Sequence, residues 1–112
     1  MVPKKHRLRG QEAFRRLARQ GRHVHEPALA IRVRPNQMPE SRFGFVVSLR
    51  ISKKATRRNR LKRQLREIVR LELPRIRPGY DVMVMVKPNA LPLGYWQLKE
   101  QLITLLTKAR LL

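Results

Sequence analysis

Six Arg or Lys side chains fall within the eleven residues RRNRLKRQLRE, from Arg57 to Glu67. They are Arg57, Arg58, Arg60, Lys62, Arg63 and Arg66, with Asn59 set among them. Guanidinium groups present planar, bidentate donors that match phosphate oxygens, and they stay charged at physiological pH. A run this dense points to a phosphate backbone as its partner. Charge runs are more often solvated helix faces, but such faces intersperse acids that make i,i+4 pairs. Here Glu67 stands almost alone, so the cations would repel one another without a polyanion. Contacts of this kind position a backbone and read no base sequence. Asn59 is different in kind. Its amide can donate to a phosphate and accept from a hydrated metal ion, or it can make local backbone hydrogen bonds near a helix start.

Other chemistry is poorly provided for. The acids Glu12, Glu26, Glu40, Glu67, Glu72, Asp81 and Glu100 are scattered over the chain, whereas a two-metal nuclease gathers several carboxylates around its ions. Glu67 and Glu72 lie five apart, which is not a facing spacing on a helix. His23 and His25 form an H-x-H that could hold a metal from one strand face. No third ligand is evident, and surface or RNA-contacting histidines are the expectation. There is no Cys, which excludes disulfides and thiolate metal sites.

Composition agrees with a polyanionic partner. Twenty-seven Lys and Arg against seven acids give 112 residues a formal charge of +20. Self-repulsion on that scale destabilises a compact state unless an anion relieves it. Nucleic acid is the first candidate and an anionic membrane surface the second. The longest apolar run, Val82 to Val86, is far too short to span a bilayer. MVPKKHRLRG lacks the apolar stretch of a secretory signal. With 42% hydrophobic residues in periodic runs, the chain folds.

The elements that must position these residues can be read from periodicity. Residues 1–10 read as a flexible basic arm. Ala13, Phe14, Leu17 and Ala18 recur at helical spacing over 11–20, with Phe14 and Leu17 inward and Gly21 as the C-cap. ALAIRVR (28–34) alternates as a strand with Leu29, Ile31 and Val33 on its buried face. PNQMPES (35–41) is a turn, and RFGFVVS (42–48) a second strand, so the two strands read as a hairpin. Gly44 marks a bulge or a close backbone approach. Leu61, Leu65, Ile68 and Val69 make the inner stripe of a helix that starts after Ser52 and ends before Pro74. YDVMVMVK (80–87) is apolar on both faces and reads as a central strand. A last helix carries Trp96, Leu98, Leu102, Leu105, Leu106 and Ala109, with Trp96 as a candidate anchor on the sheet. The order α-β-β-α-β-α defines an α+β two-layer sandwich, a three-to-four-stranded sheet with helices packed on it, in one domain over 1–112.

FGFVVS, a basic stretch, and then RRNRLKRQLRE resembles the signature of the bacterial ribonuclease P protein subunit family. Arg58, Asn59, Arg60, Leu61, Lys62, Arg63 and Arg66 match the Arg-Asn-Arg motif position by position. The HRL of the basic arm, the EAF of the first helix, the YDVMVMVK strand and the final amphipathic helix fall in the family's order, so the resemblance covers nearly the whole chain. It implies a cytoplasmic RNA-binding subunit that pairs, one protein per RNA, with a large catalytic RNA to remove the 5′ leader of precursor tRNA. The RNA and its Mg²⁺ ions would perform the hydrolysis, and the protein would have no catalytic residues of its own. The resemblance assigns Arg50, Lys53, Lys54, Arg57, Arg58, Asn59, Arg60, Lys62, Arg63 and Arg66 to the catalytic RNA, with Asn59 close to a metal ion, directly or through water. It assigns Phe14, Ala18, Ala30, Arg32 and Lys87 to a cleft for the single-stranded leader. It also implies a left-handed β-α-β crossover, a fold shared with the second domain of a small-subunit ribosomal protein, where general topology favours the right hand.

The sequence departs from the family pattern at the cleft. Ala18 stands where a second aromatic is usual, and Arg32 stands near the place of a strand aromatic. Leader stacking should then be weaker and charge more important. Of the paired basic residues usual after the second strand, Leu49 and Arg50 leave only Arg50. A structural ribosomal protein is the rival reading, because it would share the basicity and the α+β layering. A self-sufficient nuclease is disfavoured by the scattered acids.

Overall fold

The computed structural model describes residues 2–112; Met1 lies outside them. The chain forms α1 (Gln11–Gln20), β1 (Arg22–His25), β2 (Leu29–Pro35), β3 (Arg42–Val46), α2 (Ala55–Glu72), β4 (Tyr80–Val86) and α3 (Tyr95–Lys108), with short 3-10 turns at Lys4–His6, Leu73–Arg75 and Pro88–Ala90. The four strands make one sheet in the order β1-β2-β4-β3. β1 and β2 are antiparallel with Val24 opposite Ile31. β2 and β4 are antiparallel with Ile31 opposite Val84, and β3 runs parallel to β4 with Phe45 opposite Val84.

This topology corrects the expected hairpin. β2 and β3 are not neighbours, because β4 lies between them. A strand apolar on both faces gains most from the centre of a sheet, and β4, with Val82, Met83, Val84 and Val86 all buried, takes that place. The segment between β2 and β3 therefore crosses the start of β4 instead of closing a tight turn. It is tied there: the Asn36 amide N–H donates to Gly79 O at 2.9 Å, and Asn36 Nδ2 donates to Asp81 Oδ1 at 2.9 Å. The hairpin partner of β2 is β1, a short polar strand that apolar alternation does not reveal.

The two sheet faces have different roles. Leu29, Ile31, Val33, Phe43, Val82, Val84 and Val86 face the main core, where Leu61, Leu65 and Ile68 of α2 and Leu98, Leu102, Leu105 and Leu106 of α3 close over them. Each fully buried aliphatic side chain there contributes about 1.5–3 kcal/mol. The α2 and α3 stripes expected from periodicity are the buried ones, with Trp96 the exception: it is 73% exposed and anchors nothing on the sheet.

α1 crosses the opposite face. Leu17 is buried there with Leu8 and Met83, and Phe14 and Ala13 pack at the margin. Gly44 lies beneath the Phe14 ring, where a Cβ would come within 2.4 Å of Phe14 Cζ. The expected close approach is thus a side chain crossing a strand. Gly21 caps α1 by donating its N–H to Leu17 O at 2.8 Å, and a Cβ at this position would meet that same oxygen at 2.5 Å.

Residues 2–8, expected as a flexible arm, are docked on the edge of β3. Val2 and Leu8 are buried, Arg7 bridges to Phe43, and the Leu8 N–H donates to Phe43 O at 2.8 Å. Two isolated apolar residues in a basic run gave no periodic signal, yet each fills a site on the sheet. Docking also covers an otherwise open strand edge. At the lower end of the α1 face, Arg42 Nε and Nη2 make a bidentate pair with Asp81 at 2.8 and 2.7 Å. That pair holds the Arg42 guanidinium above its ordinary range, chiefly through the Asp81 hydrogen bonds.

Candidate nucleic-acid interface

Because Leu61, Leu65, Ile68 and Val69 are pinned to the core, the remaining positions of α2 must face outward. Arg57, Asn59, Arg60, Arg63 and Arg66 are exposed there, and Arg58 and Lys62 are half-buried. Among the described residues none of these cations pairs with a carboxylate. The ion pairs of this region, Arg70–Glu67 and Arg75–Glu72, lie toward the end of the helix. Arg70 draws the exposed Glu67 carboxyl below its usual range by hydrogen bonding.

The start of α2 is more strongly unbalanced. Lys54 is the N-cap, no side chain caps the helix, and no acid occupies the first turn. Cations at the positive end of a helix macrodipole oppose it by about 0.3–1 kcal/mol each. Lys53, Lys54, Arg57 and Arg58 all sit there, so a phosphate at this end would relieve both the dipole and the mutual repulsion. The preceding loop is ordered by local hydrogen bonds. The Lys54 N–H donates to Ser52 Oγ at 3.2 Å, and Arg58 Nη1 donates to Ser52 O at 2.8 Å. Arg50 is exposed on the same loop.

The residues expected in the second site spread along the α1 face of the sheet. Phe14 borders a cavity of about 340 Å³ at the β3 edge, together with Arg7, Arg9, Gly44, Phe45 and Arg66. Arg66 belongs to α2, so this cavity is continuous with the basic helix. Ala18 is exposed on α1, whereas Ala30 is buried and forms floor, not contact surface. Arg32 is partly engaged, donating to Gly21 O at 3.3 Å, and Lys87 Nζ donates to Glu26 O at 2.8 Å.

His23 and His25 stand on the same face as Arg32 and Ala30, their register partners, and their rings stack at 5.6 Å between centroids. Slight desolvation of the exposed ring, and then the charges of Arg32, His25 and Lys87, push His23 below its ordinary value. Among the described residues no group of three or more His, Cys, Asp or Glu comes together that could hold a metal ion. The H-x-H is therefore a stacked pair beside two cations, and Asn59 offers a lone exposed amide. Sequence reasoning placed Arg7, Arg9 and Phe45 in no binding site. For those three residues the only nearby signal in the sequence was Gly44, which marked a close backbone approach on β3.

A cation-lined helix beside an α+β sheet with a partly open face defines a small basic nucleic-acid-binding protein. A family model described as Ribonuclease P matches residues 2–110. The chain is 39% identical over 109 residues to the ribonuclease P protein component of Synechocystis sp., covering 96% of this chain and 88% of that protein. Its structure is similar to the RNase P protein from Thermotoga maritima, with a TM-score of 0.84 and 33% identity over 91% of this chain and 96% of that one. The Staphylococcus aureus RNase P protein shares the fold, with a TM-score of 0.88 at 23% identity over 95% and 96% of the two chains. The chain belongs to the ribonuclease P protein family.

Proposed function

We propose that this protein is the RNA-binding subunit of a bacterial ribonuclease P, one protein per catalytic RNA, acting in the cytoplasm on precursor tRNA. α2 and its preceding loop grip the catalytic RNA by its phosphates. The α1 face of the sheet receives the single-stranded 5′ leader. The observation that carries the reading is the continuity of the two surfaces: Arg66 belongs to the unpaired cations of α2 and also lines the cavity beside Phe14. A protein bridging an RNA and a strand that leaves its active centre needs such a junction.

Hydrolysis of the leader falls to the RNA, with Mg²⁺ as the metal that supplies charge neutralisation and an activated water. The protein's donors do not fit an inner-sphere Mg²⁺ site, because its carboxylates are dispersed or engaged with Arg and Lys. Asn59 fits a contact through water to an ion held by the RNA. The protein's own work is to screen phosphate repulsion, so that less Mg²⁺ is required, and to orient the leader.

The test is affinity of the reconstituted holoenzyme for precursor against mature tRNA. Preference for the precursor that weakens in Phe14→Ala, with binding of the catalytic RNA unchanged, is the expected result. Equal affinity of the wild-type holoenzyme for both tRNAs would refute the leader assignment.

A further inference from the structure

Trp96 is the only Trp in the chain, and among the described residues it is the most exposed of the large hydrophobic side chains, at 73%. It sits in the first turn of α3, outside both surfaces described above. Leaving an indole in water forgoes the burial free energy that makes Trp a core and interface residue. Its pose is nonetheless defined. Lys99 Nζ lies 5.3 Å from the ring centroid, and Tyr95 meets the ring edge-on at 90° with centroids 5.1 Å apart. The ring is thus held by a cation and a neighbouring ring while most of its surface stays open to solvent.

Tyr95 also lines a cavity of about 610 Å³ between α2 and the start of α3, with Asn59, Arg63, Gln64, Arg66 and Glu67. That volume lies within the range of sites for small organic groups, about 300–1,000 Å³. Gln64 Oε1 is buried at this cavity, and no donor among the described residues reaches it. An unsatisfied buried acceptor is unfavourable, and rotation of the amide toward an incoming N–H or O–H would satisfy it. The acid in the lining, Glu67, is already paired with Arg70.

Resting on the reading of α2 as the grip on the catalytic RNA, the geometry points to a third contact surface: an unpaired nucleotide of that RNA stacks on Trp96, with its adjoining phosphate and sugar at the cavity beside Asn59, Arg63 and Gln64. The chemistry is that of single-strand recognition. An aromatic face takes the base, cations take the phosphate, and amides take base edges or the ribose hydroxyl. Charge and continuity select RNA over a protein partner, since Asn59, Arg63 and Arg66 belong to the basic face of α2 itself.

The single Trp makes the test direct. The full-length protein is titrated with a bacterial ribonuclease P RNA while Trp emission is followed, and affinities of Trp96→Ala and Trp96→Phe are measured separately by filter binding. The expected result is quenching by the RNA and a loss of affinity on the order of tenfold in Trp96→Ala. Trp96→Phe should recover most of that loss. The salt slope of Trp96→Ala should be unchanged, because stacking releases no counterions. Unchanged affinity in Trp96→Ala overturns the proposal, even if emission responds. Quenching by a leader oligonucleotide but not by the catalytic RNA overturns it too. Loss of affinity in an Arg60→Ala/Arg63→Ala protein, beside an indifferent Trp96→Ala, would leave the α2 reading standing and remove only this surface. If neither protein loses affinity, the reading of α2 fails and this proposal falls with it.

Discussion

Removing two cations from α2 should change not only the affinity for the catalytic RNA but its dependence on salt. Arg60 and Arg63 are the informative pair, because both are exposed and, among the described residues, neither forms an ion pair or a side-chain hydrogen bond. Arg58 is a poorer choice: its guanidinium also holds Ser52 O at 2.8 Å, so its loss would mix loop disorder with lost phosphate contact. Each phosphate contact contributes roughly 0.7–0.9 to the log–log salt slope, so Arg60→Ala/Arg63→Ala should lower its magnitude by about 1.4–1.8. At about 0.15 M salt the corresponding loss of affinity is on the order of 20-fold, and it should shrink toward nothing as salt approaches about 1 M. Filter binding of a bacterial ribonuclease P RNA over a salt series measures both quantities. Glu67→Gln/Arg70→Gln is the control, since it removes an exposed, mutually paired couple from the same helix and leaves net charge unchanged. An altered affinity with the wild-type slope would mean that Arg60 and Arg63 do not meet phosphates. A slope change as large in the control would mean that generalised charge, not this face of α2, determines binding.

Three further outcomes follow from the geometry. In Gly44→Ala the new Cβ would lie 2.4 and 2.6 Å from Phe14 Cζ and Cε1, so the ring must swing out of its place. Chemical denaturation should show a cost of no more than about 1–3 kcal/mol, while preference for precursor over mature tRNA falls; a preserved preference would exclude the Phe14 position from leader binding. Asp81→Asn deprives Arg42 of its bidentate partner and should cost about 1–3 kcal/mol in urea unfolding, with the RNA salt slope unchanged; a wild-type unfolding midpoint would show that the pair is energetically idle.

The third outcome concerns pH. His23 is held below its ordinary value by slight desolvation and by Arg32 from β2, His25 from its own strand and Lys87 beyond β4. A leader phosphate beside these groups would raise it, so binding takes up a proton. Affinity for precursor tRNA should then rise as pH falls from about 8 to about 6, and His23→Ala should flatten that dependence. For folding alone the sign reverses: the unfolded chain binds this proton more readily, so His23 costs stability below its ordinary range and nothing above it. A pH profile identical in His23→Ala would remove the imidazole from the cleft.

Local patterns in the chain made its helices and central strand legible, because a buried stripe such as Leu61, Leu65, Ile68 and Val69 repeats at the helical period and β4 is apolar on both faces. The outward turn of the α2 cations was legible for the same reason: pinning one side of α2 to the core turns Arg57, Arg60, Arg63 and Arg66 outward together. What local patterns could not carry was non-local. Nothing in residues 28–48 says that β4, some forty residues later, will insert between β2 and β3. Nothing in MVPKKHRLRG marks Val2 and Leu8 as residues that dock. β1 escaped because Arg22, His23 and His25 are polar, and its strand character comes from pairing with β2. The α1 face of the sheet suffered most. Phe14 and Arg32 share that face, but the cavity that joins Phe14 to Arg7, Arg9 and Arg66 depends on the docked N-terminus, and the stacked His pair depends on β1 existing.

The central claim, that this protein serves a catalytic RNA and does not cut, is tested most directly by single-turnover cleavage of precursor tRNA at low Mg²⁺ in three reactions: bacterial ribonuclease P RNA alone, protein alone, and both together. The account predicts cleavage at the mature 5′ end only when both are present, with the RNA alone regaining activity as Mg²⁺ is raised. Cleavage by the protein alone, or a protein that binds the RNA yet leaves its Mg²⁺ requirement unchanged, would contradict it.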